Sequence, residues 1–193
     1  GTACAVLAKG WYPFANGRVS ASSRAWMADL PKTLVFMLGG LRFRVIHGGV
    51  AQINRFVFAS QTDLLIEELA TARTDVVIAG HAGLPFVART GRGIWFNPGV
   101  VGMPANDGTP QVWYGSIEPD SSGIRLSTRR LAYDHRAAAA AMRRWGHANG
   151  YARTLVTGLW PSLDILPPAE RQAAGRRLRP KTVRIARPPA PDA

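Results

Sequence analysis

Two short strand-like runs, each leading directly into a glycine-flanked histidine, constrain this chain more than any other feature. The first is Leu41-Arg42-Phe43-Arg44-Val45-Ile46-His47-Gly48-Gly49, and the second is Asp75-Val76-Val77-Ile78-Ala79-Gly80-His81. Between them, residues 63 to 73 read as a helix, with Leu64, Leu65, Leu69 and Ala72 apolar and Glu67 and Glu68 expected on the exposed side. In the first run Leu41, Phe43 and Val45 alternate with Arg42 and Arg44, so one face is buried. The second run is continuously apolar, as in strands covered on both faces. The pattern is that of an α/β protein. In open α/β sheets, ligands collect beyond the C-terminal ends of the strands, where both histidines stand.

The remaining pattern fills in around this unit. Thr33 to Leu38, joined to the first run by Gly39-Gly40, reads as the other arm of a tight hairpin. Ser22 or Ser23 is placed to cap a helix from Arg24 to Leu30, which Pro31 stops. Phe86 to Arg89 and Gly93 to Phe96 suggest a second hairpin, and Gln111 to Ile117 and Gly123 to Ala132 two further strands. Asp134 caps an Ala- and Arg-rich helix ending near Gly146, with Arg143 and Arg144 where cations suit the helix dipole. Residues 151 to 160 suggest one more short helix, while residues 1 to 18 have no clean period. From Pro167 onward come six of the 14 prolines, so an extended tail is expected there. The expected division is therefore a domain over residues 1 to 160 and a Pro/Arg-rich tail over residues 161 to 193.

Composition excludes several classes. A chain of 193 residues suits one domain or a large part of one. A single cysteine, Cys4, excludes an internal disulfide framework and a cysteine-clustered zinc site, and is expected to be a small packed residue. No apolar run is long enough to cross a bilayer, and the N-terminus lacks signal-peptide order. The expectation is a cytoplasmic protein without membrane contact. The net charge of +12 is uneven: residues 129 to 193 hold 13 of the 24 basic residues against four of the 12 acids. Only three basic residues are lysine: Lys9, Lys32 and Lys181. This arginine-rich stretch reads as a solvated surface rather than a nucleic-acid reader. The opposing reading is non-specific attraction of phosphate polyanions.

Chemistry can reside in few places. Neutral imidazole ligates first-row divalent metals well, so His47 and His81 can meet at one metal. Spacing alone leaves open that each is an ordinary loop histidine. His135 and His147 lie near the ends of a helix and read as surface residues or dipole partners. Asp134 and His135 are helix neighbours that do not face each other, so a cap is the simpler reading. Asn97 begins an Asn-Pro-Gly bend and can either shape that turn or position a ligand. Asp107, in Asn106-Asp107-Gly108, is a turn residue that can reach a site rim. Trp113 and Tyr114 alternate across a strand, so one should be core and the other exposed.

Three strings occur in order: Arg44-Val45-Ile46-His47-Gly48-Gly49, Val77-Ile78-Ala79-Gly80-His81-Ala82-Gly83 and Asn97-Pro98-Gly99-Val100-Val101-Gly102. Together they resemble the late motifs of the calcineurin-like metallophosphoesterase superfamily, especially its small bacterial phosphodiesterase-like branch. Those motifs are a strand ending in His-Gly, a strand ending in Gly-His-x-His, and an Asn-Pro-Gly-Ser-Val-Gly loop. The likeness covers roughly residues 20 to 130. It implies a partial α-β-β-α sandwich with mixed sheets, plus a C-terminal helix and an extended tail. It also implies a hydrolase acting on a phosphomonoester, phosphodiester or nucleotide. The cofactor implied is a divalent metal (Mn, Fe, Ni, Zn or Mg), with two metals in the intact enzyme activating a hydroxide for in-line attack. By carry-over, His47 and His81 ligate the same metal, and Gly48, Gly80 and Asn97 shape the loops around it.

The departures are as informative. The second histidine of Gly-His-x-His is Gly83 here, which removes a ligand of the other metal. The early Asp-x-His, Gly-Asp and Gly-Asn-x-Asp motifs are missing before His47, and residues from Cys4 to Asn16 look like an insertion following them. The resulting expectation is a C-terminal portion with Gly1 as a truncation edge, inactive or weakly active alone and prone to self-association through an open sheet edge. The alternative is a non-catalytic binding or regulatory module on the same fold.

Overall fold

The computed structural model describes residues 3–146 and 150–186; His147 lies outside them. Two sheets carry the fold. β1 (Leu34–Leu38), β2 (Leu41–Ile46), β3 (Val76–Ala79), β4 (Phe86–Thr90) and β5 (Gly93–Asn97) form a mixed sheet in the order β1-β2-β3-β5-β4. Its centre, β2-β3-β5, is parallel, and each edge strand joins by an antiparallel hairpin. β6 (Val112–Asp120), β7 (Gly123–Leu131) and β8 (Lys181–Ala186) form a second, antiparallel sheet. The helices are α1 (Ala3–Arg18), α2 (Ala21–Ala28), α3 (Thr62–Ala72), α4 (His135–Arg144), α5 (Tyr151–Thr157) and α6 (Pro168–Gln172).

Period-two alternation divides the central strands between two cores. Phe43, Val76, Ile94 and Phe96 face the second sheet and pack with Ile124, Leu126 and Ile185. Ile46, Val77, Ala79 and Trp95 face the other way, against Leu65, Leu69 and Ala72 of α3. Each of these large side chains contributes about 1.5–3 kcal/mol of burial. The α/β class is as the strand–helix–strand pattern predicts, and the mixed sheet is as the family resemblance implies. Trp113 is buried and Tyr114 exposed, and Asp134 caps α4 by accepting the Ala137 amide at 2.9 Å.

Four local readings change. Residues 3 to 18 form α1 despite Pro13 within it. Ser20, rather than Ser22 or Ser23, caps α2, accepting the Ser23 amide at 3.1 Å. Glu68 is 2% exposed, not on the solvent side. The Pro/Arg-rich segment is not a free tail over its described length. It forms α6 and then β8, which pairs with β7 and buries Ile185. The segment is fastened from the core side: Gly175 donates to the Asn106 carbonyl at 2.8 Å and Leu178 to Asp107 at 3.1 Å. Ser60 donates its amide and hydroxyl to Glu170 at 2.9 and 2.6 Å. Backbone hydrogen bonds to β7 and apolar burial outweigh what the proline content suggests.

Candidate metal centre

Parallel register brings the two histidines together. Ile46 of β2 stands opposite Ala79 of β3, so the next residues of each strand leave the sheet side by side. The His47 carbonyl accepts both the Gly80 amide, at 3.2 Å, and the His81 amide, at 2.9 Å. The imidazole centroids are 4.6 Å apart with the rings tilted at 54°. His47 is exposed and His81 half-buried. Phe56 stacks on His81 at 4.3 Å, and the Asn54 carbonyl accepts a bond from the ring. Burial, and then the neighbouring His47, push the His81 imidazole below its usual range. That favours the neutral form, which is the ligating form.

The loop after His47 is held from beneath. Gly48 lies so close to residues 53 to 55 that a Cβ would meet the Ile53 carbonyl oxygen at 2.5 Å, so only glycine fits. Glu68, reaching out of α3, accepts the Val50 amide at 2.6 Å and the Arg55 guanidinium at 2.8 Å. Thus α3 fixes the loop that carries Asn54 and Phe56 to His81. Pattern reading missed Glu68 because its partners lie outside its own helix. At Gly80 a Cβ would meet only the Gly99 carbonyl, at 3.7 Å, so the space there does not require glycine. Asn97 is buried at the end of β5, and its Oδ1 accepts the Gly99 amide at 2.9 Å. It shapes the Asn-Pro-Gly bend.

Asp107 takes a different role from a site-rim residue. It is buried and paired with Arg130 of β7 at 3.0 Å. Cys4 lies within α1, and His135 begins α4 beside Tyr133.

Beside His81 opens a cleft of about 260 Å³. Gly83 lines it in the left-handed conformation, at φ +69°, with the Trp160 ring 3.6 Å from where a Cβ would stand.

Two imidazoles supply one side of a metal site and no more. Among the described residues, no group of three or more His, Cys, Asp or Glu is placed to hold an ion. Divalent cations take about four to six ligands, and a carboxylate bridge is what holds a metal pair. The donor set does not fit a two-metal centre by itself.

A hypothetical protein from Pyrococcus horikoshii superposes with TM-score 0.63 at 15% identity, over 74% of this chain and 56% of that one. A predicted phosphoesterase from Streptococcus pneumoniae gives TM-score 0.41 at 22% identity, over 55% and 60%. The zinc complex of Vps29 from Entamoeba histolytica gives 0.43 at 20% identity, over 55% and 57%. This chain therefore spans under two thirds of each of these proteins, and the first superposition is a likeness of fold alone. No curated protein matches it. Residues 13–120, more than half of the chain and including both histidine-bearing strand ends, match the profile of the calcineurin-like phosphoesterase superfamily domain, and the chain belongs to that superfamily.

Proposed function

We propose that this chain contributes the histidine side of a divalent-metal phosphoesterase acting on a phosphomonoester, phosphodiester or nucleotide. The observation that carries the reading is the pairing of His47 and His81 at adjacent parallel strand ends, with ring centroids 4.6 Å apart. His47 and His81 are the metal ligands of this reading; Gly48 and Asn97 shape the surrounding loops, and Gly80 ties the two strand ends through its amide on the His47 carbonyl. The superfamily binds divalent metals, and one structural neighbour is a zinc complex. Two imidazoles leave most of a cation's coordination to other donors, so the chain by itself turns over phosphate esters weakly or not at all. Titration of the purified chain with Ni²⁺ or Zn²⁺, followed by imidazole NMR, tests the ligand assignment. Joint shifts of the His47 and His81 signals support it, and shifts confined to other histidines overturn it. Robust manganese-dependent hydrolysis of bis(4-nitrophenyl) phosphate by this chain overturns the expected inactivity.

A second reading, a non-catalytic binding or regulatory module, is favoured by one observation. Gly83 stands where the resembling motif has its second histidine, and an indole ring lies against it. A folded chain that retains no divalent metal in the NMR titration supports this module.

The basic C-terminal third is read as structural and solvated rather than as a nucleic-acid surface. Arg130 and Arg184 pair with Asp107 and Asp120, and Arg171 bonds the Leu166 carbonyl. A cytoplasmic setting fits a chain whose described residues include no helix long and apolar enough to cross a membrane.

A further inference from the structure

We infer that the cleft beside His81 receives a flat aromatic ring carried by the ligand of the histidine pair. The inference deepens the phosphoesterase reading, and its phosphate half rests on that reading. Its aromatic half rests on the cleft itself.

The walls are mostly apolar, with Val100 and Met103 beside the rings of Phe56, His81 and Trp160, and with Ser162 and Asp164 as polar groups on the lining. At about 260 Å³ the cleft lies just below the roughly 300–1,000 Å³ of small-ligand sites, so it suits one ring system. Trp160 is held at both ends. Its Nε1–H donates to the Pro104 carbonyl at 2.7 Å, and its amide to Asn106 Oδ1 at 2.8 Å. An indole anchored in this way offers its face without a reordering cost on binding. Phe56 supplies a second ring, already stacked on His81 at 4.3 Å. A guest ring beside it gains the usual offset or edge contacts at centroid distances of about 4.5–7 Å.

Gly83 keeps the space open. A Cβ there would lie 3.6 Å from Trp160 Cζ2 and 3.8 Å from Val100 Cγ2. A longer side chain starts between these two walls and takes up the cleft. The residue that the resembling motif uses for a second imidazole is thus the residue whose absent side chain leaves room beneath the indole. His81 belongs to both the histidine pair and the cleft wall. A ligand whose phosphate meets the imidazoles therefore places its ester substituent against Trp160 and Phe56. Aryl phosphates and nucleotides share this chemistry.

The test uses the 193-residue chain. Methyl phosphate, phenyl phosphate, adenosine 5′-monophosphate and adenosine are titrated separately, with the Trp160 indole N–H followed by NMR and identified by its loss in Trp160→Phe. The expected result is saturable movement of that signal by the ring-bearing ligands. Phenyl phosphate or the nucleotide should bind at least tenfold tighter than methyl phosphate. Trp160→Leu should abolish this preference as read by isothermal calorimetry. Met103→Trp, which fills the cleft while leaving Trp160 in place, should do the same, with a cooperative thermal transition showing that the variant folds. A preference for phenyl phosphate assigns an aryl ester, and one for the nucleotide a base. Equal affinity for methyl phosphate and the ring-bearing ligands, or no movement of the Trp160 signal, overturns the inference. Binding of adenosine at Trp160 as tight as that of the nucleotide, with no shift of the His47 and His81 signals by Ni²⁺ or Zn²⁺, removes the phosphoesterase reading and leaves the aromatic site standing.

Discussion

Glu68 holds the backbone amide of Val50 at 2.6 Å, and through that bond a helix packed on the core governs the loop that leaves His47. The same carboxylate takes Arg55 at 2.8 Å. Glu68→Ala removes the acceptor of a charge-assisted bond, for which about 1.5–3 kcal/mol of stability is expected to be lost. Glu68→Gln, which keeps an acceptor for Val50, should lose less. Urea unfolding measures both. Phe56 and Asn54 lie just beyond this loop, so the His81 ring signals should shift in Glu68→Ala even though the substitution is in another element.

His47→Ala and His81→Ala should each weaken Ni²⁺ or Zn²⁺ binding at least tenfold by calorimetry, since either leaves a single imidazole. His47 is exposed and should be nearly silent in thermal unfolding. His81 packs against Phe56, so its loss should lower the melting temperature as well. Equal metal affinity in both variants and the parent chain would place the ion elsewhere.

The closing end of the β6–β7 hairpin should loosen in acid. The Ser116 hydroxyl, then Arg129 and Arg125, hold Glu118 below the usual carboxylate range. The hydroxyl and amide of Ser122, then Arg184 and Arg125, do the same for Asp120. A depressed carboxylate stabilises the fold above its unfolded pKa, and this is lost as pH falls through the folded value. The window therefore opens below about pH 4. Amide exchange at residues 116 to 125 and 184 should rise there first, and Glu118→Gln with Asp120→Asn should flatten the dependence.

Asp107 is nearly inaccessible and is paired with Arg130, itself mostly buried. It also accepts Thr109 and Leu178, and Arg130 donates to the Leu178 carbonyl. Asp107→Ala leaves a buried guanidinium without its partner, and a loss of about 3–5 kcal/mol is expected. Because Leu178 leads into β8, hydrogen exchange should spread first through residues 178 to 186.

β1 presents Leu34, Val35, Phe36 and Met37 to solvent on an edge strand, each at least 38% exposed. Unpaired edges of this kind recruit other chains. Concentration-dependent association in sedimentation is expected, and Val35→Lys with Met37→Lys should suppress it. A monomer across the same concentrations would count against the open edge.

Legibility in the sequence followed the range of the interactions. The Gly39-Gly40 hairpin, the apolar run of β3 and the Asp134 cap are set by neighbours, and they stand where the pattern places them. The meeting of His47 and His81 was inferable because parallel strands of matched register end together. Glu68 was not: its spacing from Leu65 and Ala72 puts it on the buried face, but its charge reads as solvent-facing and its partners are 13 and 18 residues away. α1 was obscured because residues 1 to 18 carry no clean period and include Gly10, Pro13 and Gly17, while Phe14 and Arg18 reach across to Trp145 near the end of α4. The wall made by Trp160 leaves no motif, because Asn106 and Pro104 that hold it lie more than 50 positions earlier.

β8 has a consequence for synthesis. Its partner β7 precedes it by more than 50 residues, and α4, α5 and α6 are made in between. While the ribosome is still extending that stretch, the second sheet is a two-stranded ribbon, and the inter-sheet core lacks Ile185. At about 5–20 residues per second, the nascent chain spends several seconds with the outer edge of β7 open. A chaperone that shields strand edges therefore has its moment of use before β8 emerges.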